Sequence, residues 1–266
     1  MARLEAQAVV EAIPRDWLEA YVRALLDQAE ELTLDDEGWI QGDEDLADVT
    51  LVAGDHLTAG ARYQRHTDPA QDEGGNGTTT ELVITSWDRT SEVSAAVTTW
   101  HADDEKTAWT VKLSGPDALR SVTTGGAHHA AGRLHRWSWA AKLDCRQWWD
   151  QVAGGRRQTP ATVLIRHHYG QAKLRISPAA EGGKWRLGLT VVVRGRGWVR
   201  PFAAVGLLFV RRKLEVKFRE MVAEMADGWN KDVPGLLALD PREAGLWMPE
   251  LSGDREEYAR WAEENG

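Results

Sequence analysis

Leu4, Ala6, Ala8, Val10 and Ala12 alternate with Arg3, Glu5, Gln7 and Glu11, the period-two pattern of a strand buried on one face. After Pro14 the period changes. Trp17, Leu18, Tyr21, Val22, Leu25, Leu26, Ala29 and Leu32 recur at three- and four-residue spacing, which predicts an amphipathic helix opened by a proline whose missing N–H costs nothing in a first turn. The far end repeats this order. Trp185, Leu187, Leu189, Val191 and Val193 share one face of a strand, "RGRG" follows, and from Pro201 the apolar positions become Leu207, Val210, Leu214, Phe218, Met221, Met225 and Trp229. That stripe predicts a long helix ending near Pro234-Gly235.

Between these ends the pattern is mostly β. Ala61–His66, Glu81–Trp87, Glu92–Trp100 and Thr107–Leu113 are short, rich in Val, Thr, Ile and Trp, and separated by turn residues. Thr67–Thr80 lacks apolar periodicity and reads as an exposed hairpin loop, and the acidic stretch Asp35–Asp48 as room for a short helix. Gly115–Pro160 is the least regular segment. In it "SVTTGGAHHAAG" reads as loop, Arg133–Trp139 as a strand, and "DCRQWWDQVAGG" as a short helix N-capped by Asp144. Two further strands are expected near Thr162–Tyr169 and Gln171–Ser177. No internal repeat is present.

Composition changes the picture in two places. Fourteen tryptophans in 266 residues suit a broad core or an aromatic-lined pocket. The net charge of −9 divides into about −11 for residues 1–50, −5 for 51–120, +14 for 121–220 and −7 for 221–266. The simplest reading is that basic and acidic segments face each other and neutralise. The alternatives are an acidic protein partner or an anionic membrane surface for the basic segment. Cys145 is the only cysteine, so no intrachain disulfide forms, and the expected location is cytoplasmic. The longest apolar run, Pro201–Val210, is about half of what a bilayer span needs.

Candidate chemistry is sparse. His128-His129 and His167-His168 are adjacent pairs, and neighbouring strand residues point to opposite faces, so each pair offers a metal at most one ligand. No zinc-type spacing, nucleophile elbow, Walker A loop or dinucleotide fingerprint occurs, and no cofactor is implied. "RGRGWVR" could touch nucleic acid, but a pivot between strand and helix already explains its glycines, and nucleic acid is an unfavoured partner for an acidic chain.

The order of elements resembles the SRPBCC superfamily, the helix-grip folds that include START lipid-transfer domains, pollen-allergen-like proteins and bacterial polyketide cyclase/dehydrase-like proteins. "AQAVVEAIPRDWLEAYV", "HLTAGARYQRHT" and "LGLTVVVRGRGWVRPFAAVGLLFVRRKLEVKF" carry the likeness. It implies an α+β fold with a curved antiparallel sheet wrapped around a long C-terminal helix. The helix-grip domain would span residues 1–233, with an insertion around 115–160, and an acidic extension would cover 234–266. It also implies a hydrophobic small molecule, lipid- or polyketide-like, bound between sheet and helix by Trp185, Leu187, Leu189, Val191, Val210, Leu214, Phe218 and Met221. Two alternatives accompany that reading. One is a cyclase/dehydrase-like enzyme, with His135, His167 and Tyr169 as acid–base candidates because they lie in predicted strands. The other is a non-catalytic interaction module whose cavity is filled.

Overall fold

The structure is a computed structural model, and it describes residues 1–41, 46–67, 77–101, 105–130, 136–156, 158–196 and 200–244, with side chains of the last stretch from 212 onward. Thirteen strands and three α-helices follow one another among these residues. In chain order they are β1 (Ala2–Glu11), α1 (Arg15–Glu31), β2 (Thr33–Leu34), β3 (Ile40–Gln41), β4 (Val49–Ala53), β5 (Arg62–Thr67), β6 (Thr78–Asp88), β7 (Glu92–Trp100) and β8 (Lys106–Ser114). Then come β9 (Ser121–His129), β10 (Trp137–Asp144), α2 (Cys145–Val152), β11 (Ala161–His167), β12 (Gly170–Glu181), β13 (Lys184–Gly195) and α3 (Arg200–Leu237).

Eleven strands form one antiparallel sheet in the order β1-β13-β12-β11-β10-β9-β8-β7-β6-β5-β4. The run from β4 to β13 is an unbroken meander, and β1 closes against the last strand rather than its sequence neighbour. Register aligns Ala6, Leu189, Ile176, Ala161, Leu143, Val122, Leu113, Val93 and Trp87 across nine strands, so these side chains share one face. All three helices cover that face. α1 seats Val22 and Leu26 among Val93, Leu119 and Cys145. α3 lays Phe218 and Val222 on Leu4 and Ala6. α2 places Trp148 and Trp149 against Trp185.

β1 lies at the edge of the sheet, where unpaired backbone groups need partners. Asn230 of α3 supplies them: its Oδ1 accepts from the Glu11 N–H at 2.7 Å, and its Nδ2 donates to the Val9 carbonyl at 3.0 Å. Trp229 Nε1 donates to the Glu11 carbonyl at 2.9 Å. These bonds fix the helix along the strand as well as against the sheet. Arg89 bridges Asp27 and Glu30 of α1 and Asp117, tying that helix to the β6–β7 turn and to the 3-10 turn Pro116–Ala118.

Two expectations are corrected and a third falls largely outside the described residues. Ser121–His129, read as loop, is strand β9, and with β10 and α2 it places the 115–160 segment inside the sheet and on its helical face. Of the acidic stretch, Ile40–Gln41 pairs with Thr33–Leu34 as β3 with β2, Leu46 is 3-10 helical, and residues 42–45, where the rest of the expected short helix would fall, lie outside the described residues. α3 passes through Pro234 to Leu237 instead of stopping there. A proline this near a helix end removes only one bond of the last turns, and its own carbonyl still accepts from the Ala238 N–H at 3.2 Å.

Cys145 begins α2 and is 1 % exposed, and burial pushes its thiol up to about 11, above the ordinary thiol range. Raising the folded pKa means that this group favours the folded state fully below about pH 8.5, with the contribution lost as pH climbs toward about 11. Native protein is therefore expected to resist Ellman's reagent at pH 8, with labelling that tracks denaturant-induced unfolding. Rapid stoichiometric labelling without denaturant would show that Cys145 is accessible.

Candidate functional site

Strand alternation brings Trp185, Leu187 and Leu189 of β13 to the helical face, opposite Val10, Ala8 and Ala6 of β1. Ile176 of β12 stands beside Leu189. α3 contributes Val222, Met225, Ala226 and Trp229 to the same space, and α2 contributes Trp148. Between them lies a cavity of about 290 Å³ whose lining side chains are all apolar. The short side chains of Ala8 and Ala226 cannot reach across to fill it, while the Trp rings hold helix and sheet apart. Met225 is 56 % exposed, so it marks the point where the cavity meets solvent.

Trp185 anchors one end. It is 7 % exposed, and its ring meets Trp148 edge-to-face at 5.3 Å and Trp149 at 5.4 Å. Trp148 Nε1 is buried without a hydrogen-bond acceptor. The 73° contact with Trp185 sets an indole edge against a π face, a weak substitute for a lone pair.

The residues expected to line a site divide into groups. Trp185, Leu187 and Leu189 line the cavity. Val191, Leu214 and Phe218 sit in the adjoining cluster with Leu4, Ala6 and Val222 and do not line the cavity. Met221 is 49 % exposed and does not line the cavity. The side chain of Val210 lies outside the described residues. Val222 and Ala226 take the inward positions that the sequence stripe assigns to the neighbouring methionines. Small residues one step along a helix carry too little hydrophobic contrast to reveal this, whereas the i+4 row running Leu214, Phe218, Val222, Ala226 does.

The acid–base candidates are elsewhere. His135 lies outside the described residues. His167 and Tyr169 flank the β11–β12 turn, where His167 Nδ1 accepts from the Tyr169 N–H at 3.4 Å, and neither lines the apolar cavity. A separate polar cluster surrounds Tyr63, 3 % exposed, whose hydroxyl accepts from the Leu57 N–H at 2.8 Å and lies 2.9 Å from His56 Nδ1. His56 Nε2 faces the Ala29 carbonyl at 3.3 Å, so Nε2 carries the proton and the Tyr63 hydroxyl donates to Nδ1. Burial raises the Tyr63 pKa, and the Leu57 N–H partly offsets that. The arrangement pins the 54–60 turn to α1. Among the described residues no three His, Cys, Asp or Glu side chains converge as a metal site.

Charge is distributed differently from the simplest expectation. Among the described residues, Lys184 with Glu11 at 2.5 Å is the one ion pair joining the basic 121–220 segment to the acidic first fifty residues. Arg175, Arg166, Lys173, Lys142 and Arg194 stand on the face of the sheet away from the helices without ion-pair partners among the described residues. Nor is any helix of the described residues long and apolar enough to cross a membrane. Comparison with protein-family models, with curated proteins and with solved structures finds no match to this chain.

Proposed function

We propose that this chain is a helix-grip protein that binds a compact hydrophobic molecule between its sheet and α3. The cavity beneath Val222, Ala226 and Trp229 carries the reading, because its size stands at the lower bound of small-molecule sites and its wall offers no competing polar group. The strand order supports it too. A first strand paired with the last, followed by a long helix over that pair, agrees with the order the resemblance implies. Burying an apolar ligand here gains roughly 25 cal/mol for each Å² removed from water. A single well-placed aliphatic or aromatic ligand therefore reaches useful affinity without ionic contacts.

Carriage or sequestration is favoured over the cyclase-like alternative by one observation. Among the described residues no titratable side chain lines the cavity, so they offer no group there suited to general acid–base work. The filled-module alternative is disfavoured by the open volume itself. Native mass spectrometry of freshly purified protein, followed by solvent extraction, is expected to show a copurified hydrophobic molecule or one-to-one uptake of added N-phenyl-1-naphthylamine. Protein that arrives empty and takes up no neutral hydrophobic probe would contradict the reading.

A further inference from the structure

We propose that a second, separate site exists at the loop end of β9, β10 and β11: a cleft for a small phosphate-bearing molecule. The cleft measures about 410 Å³, larger than the apolar cavity, and among the described residues no acidic side chain lines it. Arg136 enters it from just before β10, Arg166 from β11, and Arg196 from just beyond β13. These three guanidinium-bearing residues come from distant parts of the sequence, and none has an ion-pair partner among the described residues. The Arg196 backbone is fixed beside the cleft by its N–H bond to the Tyr169 carbonyl at 2.8 Å.

Sheet register explains the shape. Ser138 lies between Ala127 and Arg166 across three strands, so two short side chains form the floor while arginine stands at the rim. Trp137 lies between His128 and His167 in the next row, so its side chain points to the helical face, away from Arg166. Three unpaired arginines around a shallow floor make a positive potential that concentrates oxyanions, and guanidinium binds phosphate oxygens in bidentate geometry. An apolar ligand of the first cavity would find none of this useful, so the two sites differ in chemistry as well as in place.

Isothermal titration with adenosine monophosphate, pyrophosphate and a single-stranded oligonucleotide tests the assignment. Adenosine monophosphate is expected to bind one-to-one, more weakly as salt rises. The double variant Arg166→Gln/Arg196→Gln should weaken it by about tenfold or more. The control Lys173→Gln/Arg175→Gln removes equal charge from the same face of the sheet outside the cleft and should change affinity by less than about twofold. Arg136→Gln gives an independent reading should the double variant fail to show a normal thermal transition. Equal losses in the control, no binding of either small phosphate, or binding of the oligonucleotide alone would each overturn the small-molecule site.

Discussion

Trp185→Ala is expected to lower the stability of the folded chain by about 3–5 kcal/mol, read as a lower denaturation midpoint with an unchanged denaturant slope. The residue is buried, packs on two other indoles and forms one end of the cavity. Removing it joins a new void to an existing one, and the sheet cannot collapse to fill either while Trp229 and Asn230 bind α3 to the edge strand. Trp185→Phe keeps most of the apolar volume and should cost markedly less. A loss below about 1 kcal/mol for the alanine variant would mean that the tryptophan cluster is not a packed unit.

The second large effect concerns a glycine. Gly126 sits in β9 with Trp139 and Trp109 opposite it on either side. A Cβ there would stand 2.7 Å from the Ala108 carbonyl oxygen, 2.9 Å from Trp109 Cβ and 2.9 Å from Trp139 Nε1. The carbonyl belongs to a paired strand and cannot retreat without breaking the ladder. Gly126→Val is therefore expected to cost several kcal/mol, on the order of 2–4, or to prevent soluble expression. Gly188→Ala is the matched control: its added Cβ meets only the Ser177 carbonyl oxygen at 3.7 Å, an ordinary contact, and should be nearly neutral. Comparable losses at both glycines would show that crowding at Gly126 is not what selects it.

That glycine also shows why part of the sheet was hidden in the sequence. β1 and β13 announce themselves because each carries its own alternation, and α1 and α3 because their apolar faces recur at helical spacing. β9 does not. Its helical-face residues are Val122, Thr124, Gly126 and His128, and the bulk on that face comes from Trp139, Trp137 and Trp109 of the flanking strands. A strand whose hydrophobicity is supplied by its neighbours looks like a loop when read alone. The cavity was half legible for a related reason. Trp185, Leu187 and Leu189 follow from one strand's alternation, whereas Trp148 reaches the same wall from a helix that is distant in sequence. The arginine cleft needs three separate segments to meet, and only the +14 balance of residues 121–220 hinted at unneutralised charge.

The account rests on an open, oily space between α3 and the β1–β13 pair. Its most direct test is the titration of N-phenyl-1-naphthylamine into wild-type protein and into Ala226→Trp, which places an indole inside that space. Saturable one-to-one binding to the wild type, abolished in the variant while its thermal transition is retained, is the predicted result. Identical binding by both proteins would place the probe elsewhere and remove the basis for the proposed role.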